Sequence, residues 1–304
     1  TLADSHPDLS VALATQRSFE TYDQPRVRYF PELLGLHSVS QGGLFKEFSN
    51  SFLFISAENP DSRTLLHLIS AQIRDRAVAW HYSNNRKVPT VTTFANSLDG
   101  TIHVRKTPLR KSDPSRKLLS GYQNSYLWNA DESSSLAPGV SLRQILVAEG
   151  YFRDYEAAHQ VLLQFLQWSF NSWEIDDTSL KGEALDAIFT NATRSETSYH
   201  LFDREWTLQS PMPKSWFVLR NVFCLRTDLE WVHRVPTHLT LKSIYERLCG
   251  ELNVRPDFSA DCARETELQG VVTREKQKGE GDKSIADIFA EPLQHFALPR
   301  NGSE

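Results

Sequence analysis

The sequence predicts an α+β fold in which a small antiparallel β region precedes a larger, mainly helical region, with an N-terminal extension in front of both. Three observations predict it. Residues 88–106 contain two β-branched segments joined by Asp99-Gly100, a dipeptide typical of hairpin turns. Residues 155–173 carry apolar side chains nearly all round a helix, which indicates a buried helix. Tyr199–Phe202 is aromatic and apolar, as expected of a short strand, and it ends at Asp203.

The composition is that of a globular protein. Of the 304 residues, 40% are hydrophobic and 23% charged, which excludes wholesale disorder and a coiled coil. The formal net charge of −5 provides no overall attraction to nucleic acid. We therefore expect no nucleic-acid partner.

The cysteines and the hydropathy pattern indicate a cytoplasmic protein. Cys224, Cys249 and Cys262 include no C-x-x-C pair, so they predict neither a disulfide framework nor a zinc site, and they fit a reducing compartment. No apolar run approaches the ~20 residues of a transmembrane helix, and no signal peptide opens the chain. Because the chain starts at Thr1, we expect a piece of a longer protein.

We divide the chain into four predicted parts. Residues 1–80 are an N-terminal extension, and the apolar run Phe52–Ile55 within it resembles a buried strand from the tail of a methyltransferase-like domain. The others are a small β-rich lobe (81–137), a helical lobe (138–271), and a charged linker with a terminal helix (272–304). The pattern also predicts an amphipathic helix over 61–78, followed by a polar turn over 81–87.

The hairpin singles out Lys106. Alternation along its second strand places Ile102, Val104 and Lys106 on one face, and His103 and Arg105 on the other. Lys106 therefore shares a face with two apolar side chains. On its own it is also explained as an edge-strand lysine that discourages aggregation.

The strongest chemical pattern lies between Gly182 and Trp206. Asn191 follows Asp186 by five residues and precedes Asp203 by twelve. The arrangement D-x-x-x-x-N, then a strand, then an Asp is the phosphoryl-transfer core of protein kinases. Asn and Asp supply the hard oxygen atoms that Mg²⁺ prefers. The alternative is that Asp186 and Asn191 cap helices or turns and that Asp203 pairs with an arginine.

These residues carry a resemblance to a known superfamily. Phe202-Asp203-Arg204-Glu205-Trp206 is similar to the I-D-x-E-aromatic motif of kinase-like proteins that include aminoglycoside phosphotransferases and choline kinases. More narrowly, the chain resembles kinase-like regions joined to a methyltransferase in bacterial proteins that modify surface polysaccharide. The segments behind this narrower likeness are residues 47–54, 85–87, 104–106 and 138–142, together with the D-x-E-W motif.

The resemblance implies a two-lobed kinase-like fold and a phosphotransferase that uses ATP and Mg²⁺. Asp186 would accept the proton of the attacking hydroxyl, and Asn191 and Asp203 would hold the metal. Lys106 would hold the nucleotide phosphates, and Gly139 would let the connector between the lobes approach the nucleotide. The implied acceptor is a sugar or polysaccharide, and a methyltransferase or glycosyltransferase domain of the same longer protein is the implied partner.

The sequence departs from the kinase pattern in three places. Ala184 stands where these families usually have His or Arg, no G-x-G-x-x-G loop precedes Lys106, and Glu132 is the only glutamate between residues 107 and 138 that could pair with that lysine. These departures favour an alternative, a non-catalytic kinase-like scaffold or glycan-binding module. A third hypothesis makes the chain part of a methyltransferase whose cofactor loop lies upstream.

The aromatic residues of the predicted helix over 155–173 have two interpretations. Trp168, Phe170 and Trp173 lie at helical spacing among other apolar residues. We expect all three in the core, with a sugar-stacking platform as the alternative.

Overall fold

The computed structural model describes residues 30–44, 77–83, 86–97, 101–109, 115–129, 133–196, 198–236, 238–273 and 283–293. Within these ranges the protein mixes α-helices with several small antiparallel sheets. The predicted strand over 52–55, the turn at Asp99-Gly100 and most of the charged linker lie outside the described residues.

Helices dominate the second half of the chain. The helices in the described ranges are α1 (Glu32–Gln41), α2 (Leu142–Phe152), α3 (Tyr155–Trp173), α4 (Lys214–Cys224), α5 (Arg226–Leu229), α6 (Leu241–Glu251), α7 (Phe258–Val272) and α8 (Ile285–Ala290), with 3₁₀ turns at Gly182–Asp186 and Phe189–Asn191. None of these described helices has the length and apolar character needed to cross a bilayer.

Short strands connect and precede the helices. They are β1 (Ala77–Ser83), β2 (Thr90–Asn96), β3 (Ile102–Pro108), β4 (Arg116–Ser120), β5 (Ser125–Asn129), β6 (Ser133–Ser135), β7 (Val140–Ser141), β8 (Ser179–Leu180), β9 (Ala192–Ser195), β10 (Ser198–Leu201), β11 (Trp206–Leu208) and β12 (Met212–Pro213). They form a four-stranded sheet in the order β1-β2-β3-β6, two three-stranded sheets, β10-β9-β7 and β11-β5-β4, and the pair β12-β8.

The predicted hairpin of residues 88–106 is confirmed as β2 and β3. The two strands pair antiparallel with Thr92 opposite Lys106. Ile102 and Lys106 are buried and Val104 is half-buried, whereas His103 and Arg105 are exposed. The alternation in the sequence therefore predicted correctly which face of β3 carries the lysine.

Local capping signals explain where several helices begin. The Asp154 carboxylate accepts a hydrogen bond from the Ala157 amide at 2.9 Å and starts α3. Thr240 and Ser243 form a reciprocal capping box at the start of α6. Ser141 occupies the N-cap position of α2, although its side chain makes no capping hydrogen bond.

Two clusters of buried apolar side chains hold these elements. The larger one joins α2, α3, α4, α6 and α7, and its largest fully buried side chains include Trp128, Trp216 and Phe165. The smaller one consists of Ala79, Phe94 and Ile102 inside the four-stranded sheet. Within the described residues the four-stranded sheet has a small apolar core of its own. Its polar contacts with the helical region therefore help to fix its position.

Some predicted elements are wrong. The end of the helix predicted over 61–78 and the start of the polar turn predicted over 81–87 form strand β1 (Ala77–Ser83), while residues 61–76 lie outside the described part. Ser133–Ser135, for which the sequence predicted no strand, pairs with β3 as β6. The β4–β5 hairpin, also not predicted, has a weaker sequence signal because three of the five β4 residues are Arg, Lys or Ser.

One side chain fastens the β4–β5 hairpin to α7. The Glu267 carboxylate accepts hydrogen bonds from the Gln123 amide at 2.8 Å, the Asn124 amide at 3.0 Å and the Tyr126 hydroxyl at 2.9 Å. Burial raises the pKa of Glu267, but these hydrogen bonds outweigh burial and place it below the usual range. The carboxylate is therefore held in its charged form.

We predict that Glu267→Ala lowers the free energy of unfolding by about 1–2 kcal/mol at neutral pH, because the amides and the hydroxyl lose a charged acceptor. Since the folded-state pKa of Glu267 lies below its unfolded value, this stabilisation is present above the ordinary glutamate pKa and disappears as the pH falls through the folded one. Chemical denaturation across the acid range measures both effects. Glu246→Ala, which removes a long 3.8 Å surface pair with Lys242, is the control and should change little. An effect of Glu267→Ala that grows towards acid pH would contradict the assignment.

Candidate functional site

The candidate site lies where β3 meets the loop between β10 and β11. We call this loop, residues 202–205, the site loop. Lys106 is 7% exposed, and its ammonium group forms ion pairs with the carboxylates of Asp203 and Glu205. Arg86, just before β2, pairs with Glu205 and lies 3.7 Å from the Asp203 carboxylate. Two cations and two carboxylates therefore meet, and we call these four residues the ion-pair cluster.

Charge and burial act in opposite directions at the cluster. Burial raises the pKa of Asp203, but the positive charges of Lys106 and Arg86 outweigh burial and lower it below the usual range. For Lys106, burial lowers the pKa and exceeds the opposing attraction of Asp203. Asp203 is thus a stable anion, and Lys106 is a cation that depends on its anionic partners.

The backbone at Asp203 is strained in a way that fits a functional position. Its φ is 57°, in the left-handed region that few residues other than glycine adopt. Aspartate tolerates this region better than most residues, and such conformations are concentrated at functional sites.

Asn191 ties the two polar segments together. Its Nδ2 donates to the backbone oxygen of Asp186 at 3.2 Å and to that of Asp203 at 3.3 Å, and its own backbone oxygen accepts from the Phe202 amide at 2.9 Å. The structure therefore brings the predicted residues 186, 191 and 203 together. Because Nδ2 is fixed by two carbonyls, the amide oxygen on the other side of the group stays a possible cation ligand.

The Asp186 carboxylate accepts three hydrogen bonds. One oxygen accepts from the amides of Glu205 at 3.0 Å and Trp206 at 2.9 Å, and the other accepts from Arg220 at 3.1 Å. Asp186 is only 5% exposed. In this arrangement Asp186 positions the loop that carries Asp203 and Glu205. Its predicted role as the base stays a prediction, and it requires one of these hydrogen bonds to be exchanged for the acceptor hydroxyl.

Arg220 on α4 connects Asp186 to α7. Its guanidinium also donates to the Leu185 backbone oxygen at 2.8 Å and to Glu265 at 2.9 Å, and Glu265 is fully buried. Burial lowers the pKa of Arg220, but the neighbouring anions, Glu265 foremost, outweigh it and raise the pKa. The polar path Glu265–Arg220–Asp186 therefore runs from α7 to the backbone of the site loop.

Gly139 has a structural explanation. Its φ is 93°, and a Cβ at this position would lie 2.3 Å from the backbone oxygen of Arg194 on β9. The close approach that the sequence predicted is therefore to the protein's own strand. Contact of Gly139 with a nucleotide stays a prediction.

An open cleft of about 440 Å³ lies beside the site loop. Residues of the connector before β7, of β10 and of α3 line it, and Arg204 joins them from the site loop. Trp168 and Trp173 line this cleft and are only half-buried, whereas Phe170 is buried in the core. The expectation that all three aromatic residues lie in the core is confirmed for Phe170. The two tryptophans pack against the core and also line the cleft.

Two important acids were missed as site residues by sequence reasoning. Glu205 lies within the D-x-E-W motif and supplies Lys106 with the glutamate partner that was sought between residues 107 and 138. Glu132, the candidate there, lies outside the described residues. The sequence did not single out Glu265, because α7 mixes polar and apolar residues. Only its packing against other elements shows which of its polar residues are buried.

Two protein oxygen donors, from Asn191 and Asp203, are candidates for holding a cation. Within the described ranges no group of three or more His, Cys, Asp or Glu side chains is arranged to hold a metal ion. The donor set fits Mg²⁺, which usually takes one or two protein carboxylates and fills its other positions with water and phosphate oxygens.

Comparison with protein-family models, curated proteins and solved structures finds no match for this chain.

We predict that Glu265→Gln lowers the free energy of unfolding by about 3 kcal/mol, because it leaves the buried Arg220 charge without its α7 partner. Glu149→Gln is the matched control, since it removes a surface pair with Arg153 and should cost less than about 1 kcal/mol. Urea denaturation of both variants measures the difference. Equal, small effects would show that the buried path does not hold the site loop.

Proposed function

We propose that the chain is a kinase-like phosphotransferase that moves a phosphoryl group from MgATP to a hydroxyl of a sugar or surface polysaccharide. In this proposal the four-stranded sheet is the small lobe, and the helices from α2 onwards form the large one. The observation that supports this proposal most is the ion pair between Lys106 on β3 and Asp203. Asn191 fixes the loop of Asp203 by donating a hydrogen bond to the Asp203 backbone oxygen.

The cations of the cluster suit a phosphate chain. Lys106 and Arg86 now neutralise Asp203 and Glu205, and a nucleotide phosphate would compete for the same donors. Because the pKa of Lys106 is lowered by burial, additional negative charge beside it would favour its charged form. The cluster therefore gains from binding an anion.

Asn191 and Asp203 would hold Mg²⁺ through their side-chain oxygens. When bound, the ion neutralises phosphate oxygens and supports the charge that develops during transfer. The protein's own contribution is placement: Asn191 and Asp186 fix the loop, and Lys106 supplies positive charge. Phosphoryl transfer needs little covalent help from the protein, so positioning and charge can provide most of the catalysis.

One observation favours a second candidate function, a non-catalytic kinase-like module that binds glycan or supports an attached methyltransferase or glycosyltransferase. The Asp186 carboxylate already accepts three hydrogen bonds from the protein, so it is not free to act as a base towards an acceptor hydroxyl. The cluster also balances its own charges without a ligand. MgATP binding distinguishes the two functions.

We predict that MgATP at ten times its dissociation constant stabilises the protein by about 1.4 kcal/mol. Asp203→Ala should abolish this metal-dependent shift and any phosphoryl transfer to sugar hydroxyls, while the variant stays folded. Thermal unfolding with MgATP, with ATP plus chelator, and with Mg²⁺ alone measures the shift. Formation of ADP together with a sugar phosphate, dependent on added saccharide, measures transfer. Asp177→Ala, which removes an exposed carboxylate, is the control and should behave as the wild type.

Two outcomes would decide against the proposal. A shift that survives in Asp203→Ala would place the nucleotide elsewhere. No shift in the wild-type protein would favour the non-catalytic module.

A further inference from the structure

Arg86 reaches the site loop from a part of the sheet other than β3. It lies between β1 and β2, and its guanidinium pairs with Glu205 and lies 3.7 Å from the Asp203 carboxylate. Lys106 approaches the same two carboxylates from β3. Two separate segments of the four-stranded sheet therefore each present one cation to the same pair of acids.

The backbone of Arg86 is tied to the helical region. Arg86 forms an antiparallel bridge with Thr273, and the Lys87 amide donates to the Val272 backbone oxygen at 3.0 Å, where α7 ends. Main-chain contacts therefore hold this segment against α7, in addition to the ion pairs with the site loop. A side chain presented from a fixed backbone loses less freedom when it binds a ligand, so Arg86 is preorganised.

The two acids of the ion-pair cluster differ in their access to solvent. The Glu205 side chain is 2% exposed, and its two carboxylate oxygens pair with different cations, one with Lys106 and the other with Arg86. The Asp203 side chain is 35% exposed. An incoming ligand therefore reaches the cluster beside Asp203, while Glu205 keeps the two cations side by side.

The two cations differ in the same way. The Arg86 side chain is 28% exposed and that of Lys106 is 9% exposed, so Lys106 lies deeper in the protein and Arg86 lies nearer the solvent. A guanidinium offers a planar fork of N–H groups that matches phosphate oxygens, whereas an ammonium group acts as a point charge. Two linked phosphate groups would give each cation a partner of its own, and a single phosphate group would not.

The charge balance favours the same class of ligand. The two cations and the two carboxylates of the cluster cancel. A divalent cation held by Asp203, as the proposed function requires, would leave an excess of two positive charges beside Arg86 and Lys106. A chain of phosphate groups neutralises such an excess and spreads its negative charge over both cations.

We infer that Arg86 is a phosphate-binding residue that makes this site select ligands with two or more linked phosphate groups. The inference rests on the proposed function for the metal at Asp203, and it deepens that function by assigning the number of phosphates to one side chain. On binding, Arg86 exchanges its contact with Asp203 for a phosphate oxygen and keeps its ion pair with Glu205. Lys106 contacts the neighbouring phosphate group.

This role explains how the chain can bind phosphates without a glycine-rich loop. In protein kinases such a loop covers the phosphates of the nucleotide. The sequence has no G-x-G-x-x-G motif before Lys106. The Arg86 guanidinium, held in place by α7, supplies N–H donors to the phosphates from a side chain instead.

Isothermal titration calorimetry on the full chain with Mg²⁺ tests the inference with three ligands: ATP, inorganic tripolyphosphate and AMP. We expect the wild type to bind ATP and tripolyphosphate, and to bind AMP about tenfold more weakly or worse, since AMP lacks the second phosphate contact. Arg86→Ala should weaken ATP and tripolyphosphate about ten- to a hundredfold, the scale of one lost charged hydrogen bond, and leave the affinity for AMP nearly unchanged.

Two further variants make the result specific. Arg86→Lys keeps a cationic partner for Glu205 but removes the planar fork, so it should lose less affinity for ATP than Arg86→Ala. Arg105→Ala is the matched control, because Arg105 is exposed on the opposite face of β3 and should bind all three ligands as the wild type does. Urea denaturation without ligand checks that each variant is folded.

Three results would overturn the inference: equal affinity of the wild type for AMP and ATP, wild-type affinity for ATP in Arg86→Ala, or the same proportional loss for AMP as for ATP, which indicates a purely structural role. The failure of the proposed function has a different signature. Arg86-dependent binding of tripolyphosphate without formation of a sugar phosphate from ATP would refute only the phosphotransferase. Formation of a sugar phosphate by Arg86→Ala at wild-type ATP affinity would refute only the role of Arg86.

Discussion

The ion pair between Lys106 and the acids of the site loop is the interaction on which the rest of this structure depends. Among the described residues, the four-stranded sheet buries a small apolar cluster of its own, while the large core belongs mainly to the helices. Lys106 on β3 therefore links two regions by charge, and Arg86 shares both of its acidic partners. Burial lowers the pKa of Lys106, and the negative charge of Asp203 opposes that effect. A contact of this kind is costly as a structural device alone, and it is suited to a site where an incoming anion or cation exchanges with its partners.

The site loop is also held by residues outside the ion-pair cluster. Asp186 accepts two backbone amides of the loop, Arg220 clamps Asp186, and Glu265 on α7 balances Arg220. Arg220 and Glu265, which balance the charge of Asp186, are therefore buried in the helical region, where close packing resists movement. This arrangement also explains how Asp203 is kept at a positive φ, because its neighbours on both sides are fixed.

Much of the local geometry was predictable from the sequence. The alternation along β3 predicted the face of Lys106, and the spacing of Asn191 and Asp203 around a short strand predicted their meeting, because a hairpin returns the chain to its start. Glu205 as the lysine's partner was not predictable by analogy with a helix glutamate, since it comes from the loop itself. Glu265 was not predictable at all, because only the packing of α7 against α4 makes its burial meaningful. Strand β1 was mistaken for helix and turn, since its pairing with β2 outweighs its weak local signal.

The proposed function requires that Asn191 and Asp203 hold a divalent cation against a phosphate chain beside Lys106. The most direct measurement is the anomalous diffraction of a crystal grown with Mn²⁺ and a non-hydrolysable ATP analogue. We expect an anomalous peak in contact with the Asn191 amide oxygen and the Asp203 carboxylate, with a phosphate oxygen beside the Lys106 ammonium group. A nucleotide bound elsewhere, or no ion peak and an unchanged Lys106–Asp203 pair, would contradict it.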